Sequence, residues 1–330
     1  MTLGPPPSPP ATLGPGREFD LIRAILAQHE RIADRAGAHP AVRVVPGDDA
    51  AVIDASPLVV SADLSFEDVH FRRDWITPDE IGWRATAASL SDLAAMAAVP
   101  VGILVTMAVK PDDATAFATS VMAGASLAAV AYGAALLGGD ISRSTGPFVL
   151  DVISVGHAGR PILRSGAQPG DSIWVTGSLG GAAAAVAAWS AGGAPDPAAR
   201  ARFAHPIPRI AEARWLAERD VLHALIDLSD GLAGDVRHLA AASNVCIRLD
   251  VSQIPIHPAA NRQLAIQGGE DYELCFAAPP SFGDSLVEAF QHAFELPLTR
   301  VGSVEAGSGV LALEDDGSAH SLEAMGYSHL

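Results

Sequence analysis

Acidic side chains recur at places where this chain has little reason to bury them. Asp48 and Asp49 follow Gly47 and lead into the apolar run Ala50-Ala51-Val52-Ile53. Asp63 ends the run Val59-Val60-Ser61-Ala62, Asp92 sits inside Leu90-Ser91-Asp92-Leu93, and Asp140 follows Gly138-Gly139. Asp227 and Asp230 share the stretch Ile226-Asp227-Leu228-Ser229-Asp230-Gly231, and Gly268-Gly269-Glu270-Asp271 forms a similar corner. A buried ionised carboxylate is costly unless cations or strong donors neutralise it. Singly, each has a plain explanation. Asp in a turn or at a helix start is commonplace, and Ser229 or Asp230 would serve equally well as a helix N-cap. Asp92 reads as well as a buried Asp satisfied by backbone donors, and glycine before Asp140 is a common helix ending. As a set, the acids point to hard, oxygen-rich sites that hold Mg²⁺ and, through it, phosphates. That chemistry is phosphoryl transfer or an ATP-driven reaction, in which positioning and charge neutralisation supply most of the catalysis.

Composition narrows the classes. At 330 residues the chain exceeds the usual size of one hydrophobic core, so two domains are expected. Lys+Arg is 21 against Asp+Glu 38, a formal charge of -17, which argues against a nucleic-acid partner and an anionic membrane surface. Lys110 is the only lysine and precedes Pro111, so a Walker-type loop, a protein-kinase lysine and a Schiff-base lysine are excluded. Phosphate chemistry here must use metals, arginines and backbone N–H groups, and Arg143 and Arg164 are the cations nearest the acidic motifs. Cys246 and Cys275 have apolar neighbours and read as buried strand thiols, and the 11 histidines form no metal-ligand pattern. Residues 1–16 are rich in Pro and Gly without a basic or apolar region, the composition of a disordered tail and not of a signal peptide. Residues 120–139 carry no charge, but Asp113 and Asp140 flank them and Ala, Gly and Ser dominate. A buried helix and, by default, a cytoplasmic location follow.

The elements that must position these residues mix helices and strands in both halves, which predicts a two-domain α+β chain with a boundary near 158–161. Helices are expected at 18–36, 77–98, 112–137, 208–219, 231–243 and 281–294, with another after Gly180-Gly181. Strands are expected at 42–45, 51–53, 58–62, 102–109, 148–156, 173–176, 224–228, 245–249, 272–277, 299–304 and 310–313. Residues 192–202 read as a Pro/Asp/Arg linker.

Taken in order, the motifs resemble those of the thiamine-monophosphate kinases, in the superfamily of aminoimidazole ribonucleotide synthetase. The resemblance covers residues 16–330. It is carried by Gly16-Arg17-Glu18-Phe19-Asp20, Gly47-Asp48-Asp49-Ala50, Ser61-Ala62-Asp63 with Val69-His70-Phe71, and Leu90-Ser91-Asp92-Leu93. It continues through Gly138-Gly139-Asp140, Arg164 to Asp171, Asp227-Leu228-Ser229-Asp230-Gly231, Gly268-Gly269-Glu270-Asp271 and Gly326-Tyr327. It implies an aminoimidazole ribonucleotide synthetase-like fold with an N-terminal domain over 17–158 that binds metal and ATP and pairs with its twin in a homodimer. A C-terminal α/β domain over 159–330 completes it. It implies several Mg²⁺ ions on Asp49, Ser61, Asp63, Asp92, Asp140, Asp227 and Asp230, with Asp48 adjacent, and leaves a role for K⁺ open. Gly139, Asp140, Arg164 and Ser229 would meet ATP, and His70 and Glu270 would meet thiamine monophosphate. The reaction implied is direct in-line transfer to thiamine monophosphate through metal held by Asp63, Asp92, Asp140 and Asp227. The alternatives are a same-fold enzyme with another acceptor and a non-catalytic nucleotide-binding regulator. Against the family pattern, Ala62 and Leu64 replace hydroxyl residues around Asp63, and Ile141-Ser142 follow Asp140. Ser65 to Asp68 replace a more apolar stretch, and Ala324 stands where some members have Trp.

Overall fold

The computed structural model describes residues 17–33, 41–44, 52–53 and 57–322. The expectations for the tail, for Asp48 and Asp49, and for Ala324 and Gly326-Tyr327 lie outside them. The chain divides into two compact units. One comprises residues up to Leu93 with Ala98–Gly159, and the other Ala94–Ala97 with Arg160–Leu330.

The first unit runs α1 (Arg17–Ala33), β1 (Val42–Val44), β2 (Val52–Ile53), β3 (Leu58–Phe66), α2 (Pro78–Ala95), β4 (Val99–Val109), α3 (Ala116–Ala131), β5 (Ala135–Arg143) and β6 (Val149–His157). Strands β3 to β6 form a sheet of order β3-β6-β4-β5, in which β5 alone runs parallel to its neighbour. Thr77 opens α2 as expected, with its N–H donating to the Glu80 carboxylate at 2.8 Å. Helix α2 lies against one sheet face: Ser89 Oγ donates to the Val152 carbonyl at 2.9 Å, and Ser154 Oγ to the Ser89 carbonyl at 2.8 Å. Glycine lets α2 and α3 touch backbone to backbone, since a Cβ on Gly82 would lie 1.8 Å from the Val121 carbonyl oxygen.

One sequence expectation fails here. The helix foreseen over 112–137 stops at Ala131, Gly133 turns the chain with φ +73, and Ala135–Arg143 pairs with β4 as a strand. The Ala-rich composition hid the break. In that strand Gly139 pairs with Val105 and must be glycine, since a Cβ there would sit 1.9 Å from the Val105 carbonyl oxygen. Asp140 is therefore a strand residue and not the corner after a helix.

The second unit contains β7 (Ser172–Thr176), α4 (Gly181–Ser190), α5 (Pro197–Ala204), α6 (Ile210–Ala217), β8 (Ala224–Asp227), α7 (Leu232–Ser243), β9 (Cys246–Asp250), α8 (Arg262–Gln267), β10 (Leu274–Ala278), α9 (Asp284–Phe294), β11 (Leu298–Glu305), β12 (Gly309–Leu313) and β13 (Ala319–Ser321). They form a seven-stranded sheet of order β13-β12-β9-β11-β7-β10-β8, with β8 at one edge. One face packs Ile173, Val175, Ile226, Ile247 and Leu249 with Leu232, Val236 and Leu239 of α7. The other stacks Trp174, Phe276 and Phe282, with Phe282 5.0 Å from Trp174. The linker foreseen over 192–202 contains α5 instead, started by Asp196, whose carboxylate accepts the N–H groups of Ala198 and Ala199 ahead of a helix with Pro at its first position. Cys246 and Cys275 are buried free thiols. Among the described residues no helix is long and apolar enough to cross a membrane.

Candidate active site

In the first unit, side-chain alternation along β3 sends Val59, Ser61 and Asp63 toward α2 and Leu58, Val60, Ala62 and Leu64 to the outer face. Ser61 Oγ donates to Asp92 Oδ2. The contact joins β3 to the last turn of α2, beside the fully buried Leu90 and Leu93. Asp92 is thus partnered by a side-chain hydroxyl on the preceding element, 31 positions back in the chain. Asp63 shares the Ser61 face, directly opposite Val152.

Asp140 does not join them. The register aligns Asp63 with Val152, Val105 and Gly139, and aligns Leu64 with Asp151, Thr106 and Asp140. Asp140 therefore projects from the outer face, and it lies on β5, the far edge of the sheet from β3. Three strand spacings separate them, about 14 Å along the sheet. The register also places the apolar replacements Ala62 and Leu64 on the outer face, away from Asp63. Burial raises Asp151, in the same row as Asp140, above the usual carboxylate range.

His70 lies in the turn beyond β3. Its Nδ1 accepts the N–H of Phe66 at 2.9 Å, and its own N–H donates to the Phe66 carbonyl at 2.9 Å. Arg84 of α2, buried, reaches the His70 carbonyl at 3.4 Å.

In the second unit the two acidic corners are bonded to each other. The N–H of Glu270 donates to the Ser229 carbonyl at 2.7 Å, Tyr272 N–H to Leu228 at 2.8 Å, and Leu228 N–H to Glu273 at 2.8 Å. Glu270 and Tyr272 hold φ of 71 and 51, a left-handed conformation uncommon for residues other than glycine and costing about 1–3 kcal/mol each. Neither Ser229 nor Asp230 caps α7; Gly231 does, with φ 100. Instead the Asp230 N–H donates to Asp235 Oδ2 at 3.1 Å. Burial, then the charges of Asp227 and Asp230, push the Asp235 carboxyl up to about 8. Asp235 was not foreseen from sequence, where it looks like an ordinary acid in a helix's first turn.

The Glu270 corner rests on buried charge. Fully buried Glu273 accepts from Arg209 Nε at 2.7 Å and Nη2 at 2.6 Å, from Arg202 Nη2 at 2.5 Å and from Thr176 Oγ1 at 2.7 Å. Burial alone would raise its carboxyl, but Arg209 and Arg202 hold it below the usual range. Asp271 Oδ2 accepts the Gly180 N–H at 2.7 Å at the start of α4, and burial pushes this carboxyl up to about 7.

Arg164 stands apart from these corners. Its carbonyl accepts Ser243 Oγ–H at 3.1 Å, at the last residue of α7, whereas Asp230 precedes the first. The 12-residue helix, roughly 18 Å long, lies between them.

The donor set suits a divalent cation. Asp227 and Asp230 each lie close enough for their charges to act on Asp235, and a hard cation with oxygen ligands relieves such crowding. Within the described residues, however, no group of three or more His, Cys, Asp or Glu side chains is arranged to hold a metal. Each half offers single or paired oxygens, the number Mg²⁺ takes when water and phosphate complete its shell.

Two family descriptions match the chain: AIR synthase related protein, N-terminal domain, over residues 47–158, and AIR synthase related protein, C-terminal domain, over 168–313. The thiamine-monophosphate kinase of Rhodopirellula baltica is 34% identical over 291 residues, covering 82% of this chain and 86% of that protein. The chain belongs to the thiamine-monophosphate kinase family. Solved thiamine-monophosphate kinases have the same fold. The Stenotrophomonas maltophilia structure is 34% identical with a TM-score of 0.78, covering 92% of this chain and 98% of that one. A second, described as AaThiL complexed with AMPPCP and TMP, is 28% identical with a TM-score of 0.74, covering 95% of this chain and 97% of that one.

Proposed function

We propose that the protein phosphorylates thiamine monophosphate with ATP, giving thiamine diphosphate and ADP by direct in-line transfer. The observation that carries the reading is the Ser229–Glu270 hydrogen bond, which fixes a metal-binding corner against an acceptor-binding one within a family whose members are thiamine-monophosphate kinases. Ser61, Asp63 and Asp92 in the first unit would hold Mg²⁺, as would Asp227 and Asp230 in the second, and Asp48 and Asp49 are proposed as further ligands. Bound Mg²⁺ would supply charge neutralisation between the two anionic phosphates and alignment of the attacking oxygen. The acceptor is a phosphate monoester with a second pKa of about 6, already largely dianionic at neutral pH, so no general base is required. His70 and Glu270 contact thiamine monophosphate. Gly139 and Ser229 contact the nucleotide, and Arg164 meets its end remote from the acidic corner.

The protein works as a homodimer. Leu58, Val60 and Leu64 are 50, 60 and 46% exposed along the outer face of β3, an apolar strip of the kind that marks an interface. Asp140 shares that face at the opposite edge of the sheet, so in the dimer it completes the partner's phosphate site and not its own.

Thiamine diphosphate formation is the test. Turnover with ATP and Mg²⁺ that stops on chelation and returns with added Mg²⁺ is expected. No product at saturating substrates would discard the reading.

A further inference from the structure

The turn that closes β3 is held more firmly than a solvent-exposed turn requires. Glu67 Oε2 accepts the Phe148 N–H at 2.8 Å and Arg73 Nη2 at 3.1 Å, while Arg73 Nε lies 2.6 Å from Oε1, off the hydrogen-bond axis. The Glu67 N–H donates in return to the Phe148 carbonyl at 3.0 Å. Arg73 Nη1 continues to Asp113 at 2.9 Å, and its guanidinium lies 3.9 Å from the centre of the Phe117 ring. Chain segments before α2, before α3 and before β6 thus converge on one Glu67–Arg73 ion pair. Burial by itself would lower the Arg73 guanidinium, but its bonds to Glu67 and Asp113 raise it above its ordinary value, so the clamp stays charged. Inside the turn, Asp68 takes φ 67 and its N–H reaches the Phe71 carbonyl at 2.8 Å.

This clamp sets the chemistry of His70. The Phe66 N–H that points at Nδ1 needs a lone pair there, so a neutral ring carries its proton on Nε2. The opposite tautomer would place two N–H groups head to head at 2.9 Å. We infer that the Glu67–Arg73–Asp113 clamp fixes His70 as the Nε2–H tautomer, making the ring a hydrogen-bond donor to an acceptor atom of thiamine monophosphate and not a base. The inference rests on the reading of His70 as an acceptor-substrate contact. It agrees with a transfer whose nucleophile is already ionised, where a base would have no proton to take. Glu67, Arg73 and Asp113 are positioning residues: they touch no reacting atom and act through the turn.

Two measurements test it. Long-range ¹⁵N–¹H correlation on ¹⁵N-histidine-labelled protein, with His70→Gln for assignment, should show an unprotonated Nδ1 and a protonated Nε2. A protonated Nδ1 in the neutral ring would overturn the inference. Steady-state kinetics follow. Glu67→Gln should raise KM for thiamine monophosphate roughly 5- to 10-fold, the scale of one weakened hydrogen bond, with KM for ATP and kcat unchanged. Asp113→Asn, which removes only the outer partner, should do the same about 2-fold. On a His70→Ala background Glu67→Gln should add nothing, whereas a merely structural role would add its full effect. Equal rises in both KM values, or additive effects, would also overturn it. Were the wild-type protein to form no thiamine diphosphate, the proposed function would fall while the NMR measurement still decided the tautomer.

Discussion

Glu270 N–H donates to the Ser229 carbonyl at 2.7 Å, and this bond makes one rigid piece of two corners that lie 41 positions apart in the chain. Gly269 makes the approach feasible, since a Cβ there would lie 2.4 Å from the Ser229 oxygen. Gly269→Ala must push the corners apart. The expected outcome is a joint rise, roughly 10-fold, in the Mg²⁺ requirement and in KM for thiamine monophosphate, with a stability loss of about 1–3 kcal/mol. Kinetics that moved one requirement without the other would show that the corners act separately.

Asp63 and His70 sit on the same strand and its closing turn, and their substitutions should be kinetically distinct. Asp63→Asn keeps the shape and removes the charge, so transfer should fall by about 10³-fold or more at any substrate level, with Tm little changed. His70→Ala should chiefly raise KM for thiamine monophosphate. A fully active Asp63→Asn protein would remove Asp63 from the metal set.

Much of this arrangement was legible in the sequence, because acids beside glycine or inside apolar runs are conspicuous. Asp227, Asp230 and Glu270 were each picked out, and the structure brings their corners together. The parts that were not legible depend on register and on burial. Asp140 looked like Asp63's neighbour, yet a difference of one residue in strand register sends the two to opposite faces. The strand that carries Asp140 was itself concealed by an Ala-, Leu- and Gly-rich start with no β-branched residue before Ile141. Asp235, Asp271 and Glu67 have ordinary sequence surroundings, and their importance comes from what folds over them. Arg164 sits in a recognisable motif, but only the path of β8 and α7 shows that its backbone is a helix length from the acidic corner.

Asp271 gives a pH signature. Its carboxyl is raised from the model-peptide range to about 7, so the folded state binds a proton that the unfolded state has already released. The native protein then holds more protons than the unfolded chain between about pH 4 and 7, and stability falls as pH rises across that window. The contribution is fully present near pH 4 and is lost as pH passes through 7, at no more than about 1.4 kcal/mol per pH unit. Asp271→Asn keeps an oxygen for the Gly180 N–H and removes the titration. Thermal unfolding of both proteins across pH 4.5–8 should therefore give a flatter profile for the variant, with the gain greatest at the alkaline end. Parallel profiles would mean that Asp271 is ionised in the fold throughout.

The separation of Asp63 and Asp140 leads to a prediction about the dimer. If Asp140 serves the partner's site, Asp63→Asn and Asp140→Asn chains are each inactive alone but complement one another when co-expressed. A mixed dimer has one site with both defects and one with neither. Random pairing makes half of the dimers mixed, so about one quarter of wild-type activity should return. If both acids served the same chain, every site in the mixed dimer would carry one defect and no activity would return. Val60→Glu, on the exposed strip of β3, supplies the control. It should give monomers by light scattering and abolish the complementation, because a charge in the centre of the proposed apolar interface would have no partner to offset its desolvation.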